Sequence, residues 1–144
     1  MREEEELLYS PKDLDWHGMG DGAYYRLLRV SPETGQFSII LRLDAGGRFA
    51  GHYHLGAGEF LMLKGELNYK DGTAKAGDWG YEPLGAVHAD TNVEMDTELL
   101  FIGYGPIAFT NDDGSIAQIL DAKLLSDVAE GAIGPVSFTV DASA

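Results

Sequence analysis

Residues 46–65 read Gly-Gly-Arg-Phe-Ala-Gly-His-Tyr-His-Leu-Gly-Ala-Gly-Glu-Phe-Leu-Met-Leu-Lys-Gly, and the rest of the chain is read outward from them. His52 and His54 stand one residue apart. On a β-strand, residues i and i+2 share a face, so the two imidazoles can converge on one point. A carboxylate, Glu59, follows the turn Leu55-Gly56-Ala57-Gly58, and a third imidazole, His88, lies in a later segment with its own proline and glycine punctuation. Three histidines and one glutamate so placed predict a metal site inside a barrel.

On either side of this stretch the pattern is strand after strand. Residues 24–30 are aromatic and aliphatic, and Ser31-Pro32-Glu33-Thr34-Gly35 is turn chemistry. In residues 37–43, Phe37, Ile39, Leu41 and Leu43 fall on one face and Ser38, Ile40 and Arg42 on the other. Further strands are predicted over 49–54, 60–63, 67–70, 78–82, 97–104, 107–110 and 115–120. Asp71-Gly72 and Asn111-Asp112-Asp113-Gly114 mark hairpins between them. Residues 97–104 form the most continuous apolar run and are expected to be the most buried strand. One helix is convincing: Asp121 is its N-cap, Leu124, Leu125 and Val128 its apolar stripe, and Gly131 its C′ residue. The expected organisation is a single domain over 1–144. An arm spans 1–23, a barrel 24–120, the helix 121–131 and a tail 132–144. Many short strands with turns between them define an all-β sandwich or barrel.

Composition narrows the chemistry. With no cysteine, thiolate metal sites, disulfides and thiol nucleophiles are excluded, so a metal must be held by nitrogen and oxygen. A formal net charge of −14 argues against nucleic-acid partners. Apolar runs such as residues 60–63 are far shorter than a membrane span, so no membrane partner is expected. The acidic start, with its run Glu3 to Glu6, lacks the order of a signal peptide, and a cytoplasmic location is the expectation. The cluster Gly18-Met19-Gly20-Asp21-Gly22 follows no apolar strand and precedes no helix, which makes a phosphate loop improbable. His17 stands alone and reads as a surface residue.

The first motif is Gly46-x5-His52-x-His54-x4-Glu59-x5-Gly65, and the second is Gly77-x5-Pro83-x-Gly85-x2-His88-x3-Asn92. Together they resemble the paired signature of the cupins, which implies a double-stranded β-helix, or jelly roll, with a short C-terminal helix here. The resemblance also implies that His52, His54 and His88 hold one divalent metal, with Glu59 as the fourth ligand or a supporting carboxylate. Imidazoles with a carboxylate favour Fe(II), with Mn, Zn and Ni as alternatives.

The string Gly80-Tyr81-Glu82-Pro83-Leu84-Gly85-Ala86-Val87-His88 is similar to that of small single-domain cupins related to acetylacetone-cleaving and dihydroxyacetophenone dioxygenases. That narrower resemblance implies C–C bond cleavage beside a carbonyl with dioxygen, a small carbonyl substrate, Glu82 and Glu59 as catalytic carboxylates, and a homodimer. Leu61, Leu63, Trp79 and Ile102 are expected to face the cavity, and Phe60, Met62 or the arm near Trp16 to offer a pairing face. Arg42 either points outward or turns in toward Glu59 or Glu82. A metal-binding module without catalysis, similar to the zinc-binding anti-sigma-factor cupin domain, is the competing reading. A metal-dependent isomerase or decarboxylase is the third.

Overall fold

The computed structural model describes residues 5–69, 72–134 and 136–138. Asp71 of the predicted hairpin, residues 1–4 of the acidic start and the tail beyond residue 138 lie outside the described residues. A 3-10 turn, Pro11–Asp13, precedes fourteen strands: β1 His17–Gly20, β2 Ala23–Val30, β3 Phe37–Leu43, β4 Arg48–Phe49, β5 His52–His54, β6 Gly58–Lys64, β7 Glu66–Tyr69, β8 Gly72–Lys75, β9 Trp79–Glu82, β10 Val87–His88, β11 Thr91–Asn92, β12 Thr97–Gly103, β13 Ile107–Thr110 and β14 Ile116–Leu120. One helix, α1 Ala122–Ala129, follows them.

The strands form a six-stranded sheet ordered β1-β2-β3-β12-β6-β9 and a four-stranded sheet ordered β10-β5-β13-β14. Two small ladders, β4 with β11 and β7 with β8, complete the set. Every pairing is antiparallel. The core comes from the inward faces of both sheets. Phe37, Ile39, Leu41 and Leu43 of β3 meet Leu99 and Phe101 of β12, Phe60 and Met62 of β6, and Ile107 and Phe109 of β13. The central strand β12 alternates buried and half-buried residues, so it is shielded on one face only; Ile107, Ala108 and Phe109 are the more completely buried run.

The helix forms where its caps dictate. The Asp121 carboxylate accepts the Leu124 N–H at 2.8 Å. At the other end, the Gly131 and Ala132 N–H groups donate to the carbonyls of Val128 and Asp127, and Gly131 takes the left-handed backbone this closure needs. Leu125 buries itself against the barrel, and its carbonyl accepts the hydroxyl of the buried Tyr25 at 2.8 Å.

Two expectations need correction. The segment read as an arm contributes β1, which pairs with β2 around a two-residue turn at Asp21-Gly22; both turn residues have positive φ, as such hairpins require. Met19 of that strand is part of the core. The faces of β6 are also opposite to those expected. Phe60 and Met62 point inward, whereas Leu61, Leu63 and Trp79 are exposed and Ile102 lies on the same outer face. Phe60 and Met62 therefore offer no pairing surface.

Candidate metal centre

The strand β5 places His52 and His54 on one face, with Tyr53 directed to the other, and both histidines are buried. Its neighbour β10 pairs in a register that sets His88 opposite His52. The three ring centroids stand 5.0–5.3 Å apart. Glu82, at the end of β9 in the facing sheet, is buried and completes the group. One ligand atom from each of His52, His54, His88 and Glu82 lies within 4.8 Å of every other. Glu82 Oε2 is 2.6 Å from Nε2 of both His54 and His88.

Each member is held for a reason. The Nδ1–H of His52 donates to the Ala50 carbonyl at 2.9 Å, because a carbonyl oxygen can only accept. That bond settles the tautomer and leaves the Nε2 lone pair directed into the cluster, the usual support of a metal-ligating imidazole. Burial pulls the His52 pKa down to about 4, against a smaller opposing effect of the Ala50 carbonyl, so the ring is neutral at pH 7 as ligation demands. Phe49 and Phe109 pack against the same ring at 5.3 and 5.2 Å. Asp90 ties the His88 strand to the His52 strand: it accepts the Gly51 N–H at 2.6 Å and pairs with Arg48 at 2.9 Å, which also holds Asp21.

The cluster fits a cation better than a hydrogen-bonded core. Both ring nitrogens of His54 are fully buried and make no hydrogen bond among the described residues; the Glu82 oxygen is near Nε2 but outside hydrogen-bond geometry. A buried polar atom left this way costs about 1–3 kcal/mol, whereas a metal ion would satisfy it. Four donors of nitrogen and carboxylate type suit divalent iron, manganese, nickel or zinc.

The sequence-predicted residues divide cleanly. His52, His54, His88 and Glu82 come together. Glu59 does not join them: it lies on the outer face of β6, opposite Tyr81 and Ile102, and accepts the Tyr104 hydroxyl at 2.7 Å. That bond raises the Tyr104 pKa. The reason is parity, since the turn after His54 delivers Gly58 and Phe60 to the interior and so turns Glu59 outward. Arg42 also faces out, paired with Asp44 at 2.9 Å and stacked on Trp16 and Tyr24. His17 sits away from the cluster, beside the Tyr25 ring.

A cavity of about 650 Å³ opens onto His52, Glu82 and His88. Its walls are largely apolar and include Phe37, Ile39, Leu41, Leu99 and Phe101. Asp90 sits at the cavity edge, and nothing in residues 86–92 read as strand chemistry marked it as the tie between the two histidine strands. Its spacing two residues after His88 is the one available signal.

A jelly roll with three histidines and a glutamate converging on its inner cavity defines a cupin. More narrowly, the chain belongs to the family described as the ChrR Cupin-like domain, whose model matches residues 4–108. It is 34% identical over 101 residues to the acetylacetone-cleaving enzyme of Acinetobacter johnsonii, an alignment covering 66% of each protein. The crystal structure of acetylacetone dioxygenase from the same organism superposes with a TM-score of 0.80 at 26% identity, over 92% of this chain and 95% of that one. The structure of Rhodobacter sphaeroides SigE bound to the anti-sigma factor ChrR shares the fold, with a TM-score of 0.56 at 22% identity over 64% of this chain and 49% of that one. Among the described residues no helix is long and apolar enough to cross a membrane.

Proposed function

We propose that this cupin is an Fe(II)-dependent dioxygenase that cleaves a C–C bond beside a carbonyl in a small β-dicarbonyl or hydroxyketone. The observation that carries the reading is the convergence of His52, His54, His88 and Glu82 at the wall of an open, apolar cavity. The similarity to an acetylacetone-cleaving enzyme supports the reaction class. When bound, the ion would supply Lewis acidity to a chelating dicarbonyl and a redox partner for dioxygen.

The chain's own groups do the remaining work. His52, His54 and His88 hold the ion as neutral ligands. The Glu82 carboxylate, lying between the His54 and His88 rings and lining the cavity, would complete the donor set and presents its negative charge to the cavity. Apolar walls exclude water and strengthen the electrostatics inside.

Protein loaded anaerobically with Fe(II) should consume oxygen when a β-diketone is added, one O₂ per diketone cleaved. Oxygen uptake indistinguishable from a substrate-free control across diketones and hydroxyketones would end the reading. The family description and the shared fold with ChrR favour one rival, a module that holds zinc without catalysis. Zinc that resists exchange for iron, with no uptake, is its signature.

A further inference from the structure

Resting on that reading, we infer that the preferred substrate is an uncharged dicarbonyl carrying a slender apolar arm, a single chain or ring. The dicarbonyl head meets His52, His88 and Glu82, and the arm lies along β3. The inference comes from the shape and charge of the cavity.

All four inward residues of β3, Phe37, Ile39, Leu41 and Leu43, line the cavity. Six strand steps of about 3.3 Å make it about 20 Å long. A volume of about 650 Å³ over that length leaves a cross-section of about 30 Å², wide enough for one alkyl chain or one aromatic ring. The histidine cluster sits near one level of this channel: His54 stands 6.2 Å from the Phe101 ring, and Phe101 pairs with Ile39. Beyond that level run Leu41, Leu43 and Leu99, with Leu67 nearby. Acetylacetone would fill the head position and leave this length to water.

Charge sharpens the class. Among the described residues no lysine or arginine lines the cavity, while Glu82 and Asp90 do, the latter paired with Arg48. A carboxylate at the far end of the arm, beside Leu41, Leu43 and Leu99, would be buried among apolar side chains with no described cation to offset it, in the field of a chain of net charge −14. The site therefore selects against dicarbonyls that carry a carboxylate on the arm.

Calorimetric titration of anaerobic Fe(II)-loaded protein with acetylacetone, 2,4-nonanedione and 4,6-dioxoheptanoate, which keeps the diketone head and carries its carboxylate on the arm, tests both parts. Each buried methylene is worth about fourfold in affinity, so nonanedione should bind at least tenfold tighter than acetylacetone, after allowance for ordering the chain. The dioxoheptanoate should bind at least tenfold more weakly than acetylacetone. Leu41→Trp or Leu99→Trp should remove most of the nonanedione advantage, with a melting curve on each variant to establish folding.

Equal affinities for acetylacetone and nonanedione, or 4,6-dioxoheptanoate binding as tightly as acetylacetone, would overturn the inference. Oxygen uptake separates the two levels. Preferential nonanedione binding without uptake supports the inference and removes the dioxygenase reading. Uptake with acetylacetone and no gain from the longer chain does the reverse.

Discussion

Replacing His54 with leucine should stabilise the metal-free protein while removing its metal. His54 is 1% exposed, and both of its ring nitrogens are buried without a hydrogen bond. Nε2 is partly compensated by the Glu82 carboxylate at 2.6 Å, whereas Nδ1 has no hydrogen-bond partner among the described residues. Counting one orphaned nitrogen, an apolar side chain of similar size should recover about 1–3 kcal/mol. For a domain of this size that corresponds to a rise in Tm of about 3–10 °C. Glu82 keeps its contact with His88 at 2.6 Å, so the substitution does not strand the carboxylate.

Differential scanning calorimetry with a chelator present measures the effect directly. Adding metal should reverse the order, because an ion at about 1,000-fold over its Kd stabilises the wild type by about 4 kcal/mol and leaves the variant unchanged. Stability given up for a binding site is the expected trade at functional positions. A variant that melts below the wild type in chelator would refute the reasoning, since it would mean that the imidazole is satisfied in the metal-free interior.

Two further outcomes follow from the same geometry. Burial pushes the Tyr25 hydroxyl up to about 12 from its ordinary 10. Its contribution is complete below pH 10 and disappears as pH rises through 12, a loss of about 3 kcal/mol. The unfolding free energy of the wild type should therefore fall more steeply than that of Tyr25→Phe across this window, and parallel curves would contradict the assignment. Gly65 has φ +77°, and a Cβ there would strike the Thr97 hydroxyl and the Asp96 carbonyl. Gly65→Ala should cost about 2–4 kcal/mol in urea unfolding, and a loss under 1 kcal/mol would show that the β6–β7 corner yields.

Much of this architecture was legible in the residues. Strict alternation placed β3 and its inward face, and Asn111 to Gly114 announced the β13–β14 hairpin. Asp121 and Gly131 bracketed the helix. The i, i+2 spacing of His52 and His54 and the motif around His88 gave the three imidazoles, and the resemblance carried by residues 80–88 added Glu82 as a catalytic carboxylate beside Glu59. The choice of carboxylate was harder. In Phe60-Leu61-Met62-Leu63 both faces of the strand are apolar, so the pattern carries no contrast from which to read its phase. Glu59 and the outward positions Leu61, Leu63 and Ile102 were misplaced together, by one residue of parity. Only the pairing of β6 with β9 and β12 settles it, and sequence spacing does not encode that pairing. β1 was missed for a different reason: its glycines masked a strand that Asp21-Gly22 between Met19 and Tyr24 had signalled.

Equilibrium dialysis of Fe(II) against the wild type, Glu82→Ala and Glu59→Gln tests the centre most directly. About one ion per chain is expected, with an unchanged Kd for Glu59→Gln, because that carboxylate is bound to Tyr104 on the outer face. Glu82→Ala should weaken binding by at least about tenfold. Metal lost with Glu59 and retained without Glu82 would contradict the site.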